Sequence, residues 1–160
     1  MSGDAVRGLE AARSEFLDAL ATVDADLVTV PGVVEDWSVR DLVVHVAFWA
    51  EHAIGAIDLA RSGRGSEFAY SPADTDAINA QLLADGRAIS PADALRREDA
   101  AFSGLRQRVA TLTEQDLALR LGNGDTVADV VRYDGADHYD EHTAHLRAWF
   151  GSDDEDAEEA

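Results

Sequence analysis

A Ser or Thr followed three residues later by an Asp stands directly before three long stretches of helical apolar spacing. These pairs are Ser38 with Asp41, Ser90 with Asp93, and Thr126 with Asp129. In such a pair the hydroxyl accepts a hydrogen bond from a free amide of the first helical turn, and the acidic side chain satisfies the amide of the capping residue. Because no segment has a convincing strand pattern, the repeated signal predicts an all-α chain.

The apolar spacing that follows these caps predicts four helices of roughly twenty residues each. They cover residues 4–23, 39–60, 91–112 and 127–150. Each is a rod of about 30 Å, and rods of equal length pack as a four-helix bundle. The connector over residues 61–90 includes Ser71 and Asp74, which predict a short helix. We predict one four-helix-bundle domain over residues 1–150, with a long crossover between the second and third helices.

The chain is strongly acidic, with 32 Asp and Glu against 13 basic residues, all of them Arg, and a net charge of −19. Six of the last ten residues are acidic, so we predict a disordered acidic tail over residues 151–160. An acidic chain lacks the cationic surface that nucleic acids and anionic membranes require, so we expect neither as a partner. Without a signal-peptide pattern or a long uncharged apolar stretch, we expect a cytoplasmic protein.

The acidic excess has two interpretations, a halophilic source or a high-GC genome that favours Arg and Ala. Only the halophilic interpretation predicts that molar salt raises the melting temperature, because screening weakens the repulsion between exposed carboxylates. Circular dichroism melts between about 0.1 and 3 M KCl test it, with sucrose as an uncharged control. A melting temperature that does not change with salt would reject the halophilic interpretation.

The five histidines fall in two of the predicted helices: His45 and His52 in the second, and His138, His142 and His145 in the last. The last three continue an inward-facing stripe, and His45 lies in an apolar stripe beside Trp49. Two imidazoles from one helix and a third from a facing helix can hold one cation and leave a coordination position open. Because the chain has no Cys, a metal site must use His, Asp or Glu.

Spacing alone leaves a second interpretation open for these histidines. Pairs of His one turn apart occur in many helices by chance, and a His on an apolar face is commonly a hydrogen-bonded core residue. His52 and His145 are candidates either for lining a pocket or for its rim and surface. The paired Glu-x-x-His pattern of di-iron bundles is absent, which argues against a dinuclear carboxylate centre.

Two segments resemble a known family, the DinB-like (YfiT-type) superfamily. The segment Trp37–His45, followed by Trp49, resembles the W-S-V-x-D-[LV]-x-x-H opening of its second helix. The end of the chain, Asp137–His142 followed by Leu146 and Arg147, resembles its H-x-x-x-H…[IL]-R last helix. That superfamily contains bacillithiol- and mycothiol-dependent enzymes and small-toxin resistance proteins.

The resemblance implies a four-helix bundle, often a homodimer, with one divalent metal ion (Zn, Ni, Fe or Mn). It implies three ligands, which in this sequence are His45, His138 and His142. Three neutral imidazoles leave the ion its full charge, so a bound thiol or water becomes more acidic. Two reactions on a small electrophilic substrate follow: transfer of an exogenous low-molecular-weight thiol, or hydrolysis by water.

Asp134, one turn before His138, is the candidate general acid or base, and it is equally a candidate for orienting a ligand imidazole. Glu141 is a second candidate carboxylate. Trp49, His52 and His145 are the candidate pocket residues, and Tyr139 is a further one. The alternative function is a non-catalytic, dimeric helical protein that binds a small molecule or confers toxin resistance, with a structural or vestigial metal site.

Overall fold

The computed structural model describes residues 2–150, which contain helices and no β-strand. The helices are α1 (Ser2–Ala21), α2 (Val39–Arg61), α3 (Thr75–Gly86), α4 (Pro91–Thr111), α5 (Glu114–Leu117), α6 (Val127–Val131) and α7 (Asp137–Phe150). A π-helical segment, Arg132–Ala136, joins α6 to α7. The predicted all-α class is confirmed. The predicted acidic tail lies outside the described residues.

The helix starts follow the capping pattern of the sequence. The Ser38 hydroxyl accepts a hydrogen bond from the Asp41 amide at 3.2 Å, and the Asp41 carboxylate accepts one from the Ser38 amide at 2.9 Å. Two more predicted boxes have the same reciprocal bonds: Ser71 with Asp74, and Thr126 with Asp129. The box formed by Thr113 and Asp116 at the start of α5 is one that the sequence analysis did not single out.

Side-chain pairs give the direction of each helix in the bundle. In the contacts between α2 and α4, the residue numbers increase in the same direction along both helices. The pairs are Glu51 with Arg97, Asp58 with Arg108, and Arg61 with Thr111. Helices α2 and α4 therefore run parallel, and the chain between them must return the whole length of the bundle. This confirms the predicted crossover, which contains α3 packed back along α2.

Helix α2 is the most deeply buried of the long helices, since it packs against α3, α4, the π-helical segment, α6 and α7. Its side chains Leu42, Val46 and Ile57 are fully enclosed, and each stabilises the fold by roughly 1.5–3 kcal/mol through burial. By length and composition alone α2 could also cross a membrane. Most of its apolar window is buried inside the bundle, as in the core helix of a soluble protein.

The sequence predicted one continuous helix over residues 127–150, and the structure interrupts it at residues 132–136. The backbone of Gly135 is non-helical there, with φ −106° and ψ −110°. A single Gly in a helical pattern usually costs only about 1 kcal/mol, so the spacing gave no indication of a break. The interruption places Asp134 at the wall of the cavity described below.

The loop before α2 is fixed over one end of the bundle by Trp149. Gly32 has a φ of +128°, and a β-carbon there would lie 2.7 Å from the Trp149 Cη2 atom. Only glycine permits both this conformation and this approach of the indole ring. The contact fixes the segment that carries Val34, Glu35 and Trp37 to the cavity.

Candidate metal centre

Three histidine side chains meet between α2 and α7. The Nε2 atom of His45 lies 2.8 Å from that of His138 and 3.1 Å from that of His142, and the last two are 2.9 Å apart. All three residues are buried or nearly so. Three nitrogen atoms within this distance of one another match the spacing expected when several imidazoles share one cation.

Aromatic packing orients the His45 ring towards the other two imidazoles. The Trp37 ring meets it edge-on, with centroids 4.5 Å apart, and Trp49 lies one turn further along α2 at 6.4 Å. Both indoles shield the imidazole from solvent. The sequence motif that contains His45 therefore also supplies the side chains that hold it in place.

Burial keeps the three imidazoles neutral at pH 7. It lowers the pKa of His45 to about 2, with a further contribution from the neighbouring His138, and that of His138 to about 4. Burial and the neighbouring His138 and His45 rings also lower the pKa of His142 well below its ordinary value. Neutral imidazoles are the form that binds metal ions, so the electrostatics suit a ligand set.

The second ring nitrogens differ in their partners. The Nδ1 atom of His142 lies 3.1 Å from Nδ1 of His145, which can accept its proton when Nε2 is a ligand. Among the described residues, the buried Nδ1 atoms of His45 and His138 have no hydrogen-bond partner. No carboxylate of residues 2–150 forms a hydrogen bond with a triad ring, and the mutual approach of the three rings fits a shared cation.

A cavity of about 710 Å³ opens onto the three imidazoles. Its buried end contains the triad and Asp134, and its walls include four aromatic side chains: Trp37, Trp49, Tyr70 and Tyr133. The Trp49 indole N–H donates a hydrogen bond to the Asn79 side-chain oxygen at 3.1 Å, which ties α3 to α2. The volume is within the range of small-molecule sites.

Asp134 is buried at the cavity wall, and its Oδ2 atom lies 2.7 Å from Nδ1 of His52. Burial raises the pKa of the Asp134 carboxyl, and the hydrogen bond to His52 partly opposes this effect. The carboxylate therefore contacts His52, with no hydrogen bond to a triad imidazole among the described residues. The structure therefore does not place Asp134 where it would orient a ligand imidazole, and the general acid or base role stays a prediction.

The remaining predicted site residues occupy different positions. Trp49, His145 and Glu141 line the cavity. His52 does not; its ring packs behind the lining residues Trp49 and Tyr70, and its Nδ1 atom contacts Asp134. Tyr139 is also absent from the lining, because it faces α1 and α4, where its hydroxyl donates to buried Glu98 at 2.6 Å.

Several lining residues were not predicted: Glu35, Trp37, Tyr70, Asp76, Asn79 and Tyr133. Most of them lie in connections or on α3, whose packing depends on the path of the crossover. Trp37 was visible within the motif that ends at His45, but its contact with the imidazole required the structure.

The bundle and its enclosed triad define a helical domain with a candidate mononuclear metal site. Residues 9–148 match the family model described as the mycothiol maleylpyruvate isomerase N-terminal domain, and the chain belongs to this DinB/YfiT-like family. Its fold is similar to the crystal structure of an uncharacterised protein from Escherichia coli UTI89, with a TM-score of 0.81 and 15% identity over 96% of this chain and 95% of that chain. No curated protein matches the chain. The predicted resemblance is confirmed at the level of family and fold.

Proposed function

We propose that this protein is a metal-dependent enzyme that uses an exogenous thiol, or water, to attack a small electrophilic substrate. The observation that carries the proposal is the meeting of three buried Nε2 atoms within 2.8–3.1 Å at the end of a cavity. His45, His138 and His142 would hold one divalent cation, Zn, Ni, Fe or Mn. When bound, that cation lowers the pKa of a thiol or water in the cavity.

Asp134 is the residue that handles the proton in this proposal. Its Oδ2 atom is held by His52, which leaves Oδ1 free to accept the proton that the thiol or water loses. The same carboxyl returns that proton to the leaving group or to the product carbon. Trp37 and Trp49 limit the access of bulk water to the reacting end.

The thiol-dependent reaction is supported by the family description, which names mycothiol. The sequence has no Cys, so the thiol must come from outside the chain. Hydrolysis is the second candidate, because a buried carboxylate backed by a His is also suited to activating water. A non-catalytic small-molecule-binding or toxin-resistance protein remains the alternative.

The Asp134→Asn variant tests the catalytic part of the proposal. In metal-loaded protein with the uncharged thiol N-acetylcysteamine and monochlorobimane as the electrophile, we expect the metal-dependent rate to fall by about 10²-fold, with metal content unchanged. Asp140→Asn is the matched control, since Asp140 is an exposed acid on α7 that does not line the cavity. Equal rates in the two variants would remove Asp134 from catalysis. If the metal-loaded wild type neither consumes the thiol nor hydrolyses the test ester p-nitrophenyl acetate, the non-catalytic alternative is favoured.

A further inference from the structure

The charged residues that line the cavity are all acidic. Four carboxylates face it, those of Glu35, Asp76, Asp134 and Glu141. No Arg of residues 2–150 lines the cavity, although all 13 basic residues of the chain are Arg. An anionic compound would therefore meet repulsion along the walls, and a cationic one would meet attraction.

Three of these carboxylates surround the mouth of the cavity. Glu35, Asp76 and Glu141 are exposed and come from separate elements: the loop before α2, the first turn of α3, and α7. Within the described part of the chain, none of the three forms an ion pair. The charge at the mouth is therefore not neutralised within the fold.

The aromatic walls favour the same kind of ligand. The Trp49 and Tyr70 rings lie with centroids 5.4 Å apart, and Trp37 and Tyr133 complete the aromatic lining. The faces of Trp and Tyr rings attract ammonium groups and offer nothing to a carboxylate. Carboxylates and aromatic side chains together form the kind of lining that binds organic cations.

We propose that the cavity selects small organic compounds that carry an ammonium or other cationic group, and that it rejects compounds with carboxylate or phosphate groups. This inference rests on the proposed function for one point only, that the reacting atom lies at the triad. The cationic group then lies towards Glu35, Asp76 and Glu141. The substrate or thiol cofactor is accordingly an aminated or uncharged molecule, not a dicarboxylate.

Three probes of nearly equal shape test the inference: phenethylamine, phenethyl alcohol and phenylacetate. Their binding to the full-length chain is followed by the fluorescence of the cavity tryptophans, in both metal-free and metal-loaded protein. In the metal-free form we expect phenethylamine to bind at least about tenfold more tightly than phenylacetate, with the alcohol between them. Phenylacetate binding as tightly as the amine would overturn the inference, as would failure of all three probes to bind.

Two triple variants with the same change in net charge distinguish the effect of the carboxylates at the mouth from the effect of the overall charge of the protein. The variant Glu35→Gln, Asp76→Asn, Glu141→Gln removes three carboxylates from the mouth, and we expect it to lose the preference for the amine. The control variant Asp18→Asn, Asp26→Asn, Glu114→Gln removes three exposed acids outside the cavity and retains the preference. Equal loss in both variants would assign the preference to net charge and refute a selective cavity.

The two proposals fail in different measurements. Probe binding to metal-free protein does not depend on a metal ion or on turnover, so the charge preference can hold where catalysis is absent. Conversely, an active metal enzyme with a cavity that prefers phenylacetate would refute only the charge preference.

Discussion

The His45→Ala variant, purified without a His tag, is expected to carry less than about a tenth of an equivalent of divalent metal per chain, against about one equivalent in the wild type. Removing even a residue that only orients a ligand lowers metal affinity about 10–100-fold, and loss of a ligand costs more. His45 is the only triad member supplied by α2, so no other side chain there can replace it. Elemental analysis by mass spectrometry gives the metal content directly.

His52→Ala is the matched control for this prediction, since it removes a His from the same helix that lies outside the triad. It should keep its metal, and both variants should retain the helical circular dichroism of the wild type. Full occupancy in His45→Ala would show that the ligand assignment is wrong. Wild-type protein with less than about half an equivalent of Zn, Ni, Fe or Mn would contradict the metal site itself.

Glu98→Ala is expected to destabilise the bundle by about 3 kcal/mol and to lower its melting temperature by about 6–12 °C. Glu98 is 1% exposed and accepts two hydrogen bonds at 2.9 Å from the Arg13 guanidinium. It also accepts the Tyr139 hydroxyl at 2.6 Å. Truncation would leave a buried hydroxyl without its acceptor and a largely buried guanidinium with only the exposed Asp99 carboxylate as a partner. Chemical denaturation and thermal melts measure the loss.

The control for Glu98 lies between the same two helices. Glu10 of α1 pairs with Arg106 of α4, but both side chains are more than two-fifths exposed. Exposed pairs contribute at most about 1 kcal/mol, so Glu10→Ala should leave stability nearly unchanged. Similar effects of the two substitutions would show that burial of Glu98 has no special energetic role.

The fold could be predicted from sequence largely because its signals are local. A cap such as Ser38 with Asp41 depends on residues one helical turn apart, and the apolar stripes depend on spacing within one helix. The crossover followed from the length of its connector. The break at Gly135 was not predicted, since packing between helices decides whether a single Gly bends a helix or is accommodated.

The candidate site was predicted in part for the same reason. The inward positions of His45, His138 and His142 followed from helical spacing and from the resemblance. The contact of Asp134 with His52 joins residues far apart in sequence, and no local pattern indicated it. The walls supplied by Tyr70 and Asn79 depend on how the crossover folds. Metal identity, thiol use, dimerisation and cellular location stay predictions.

The cavity walls and the three imidazoles come from different parts of the fold, which evolve under different constraints. The three imidazoles belong to α2 and α7, which are packed into the bundle. Tyr70, Asp76 and Asn79, which line the cavity, belong to the crossover. Surface connections tolerate insertion and substitution far better than packed helices do. Substitutions in one connector can thus change the cavity wall while the three imidazoles stay in place. A directed-evolution library confined to Tyr70, Asp76 and Asn79 would therefore vary the cavity wall without altering buried core positions of the crossover such as Phe68.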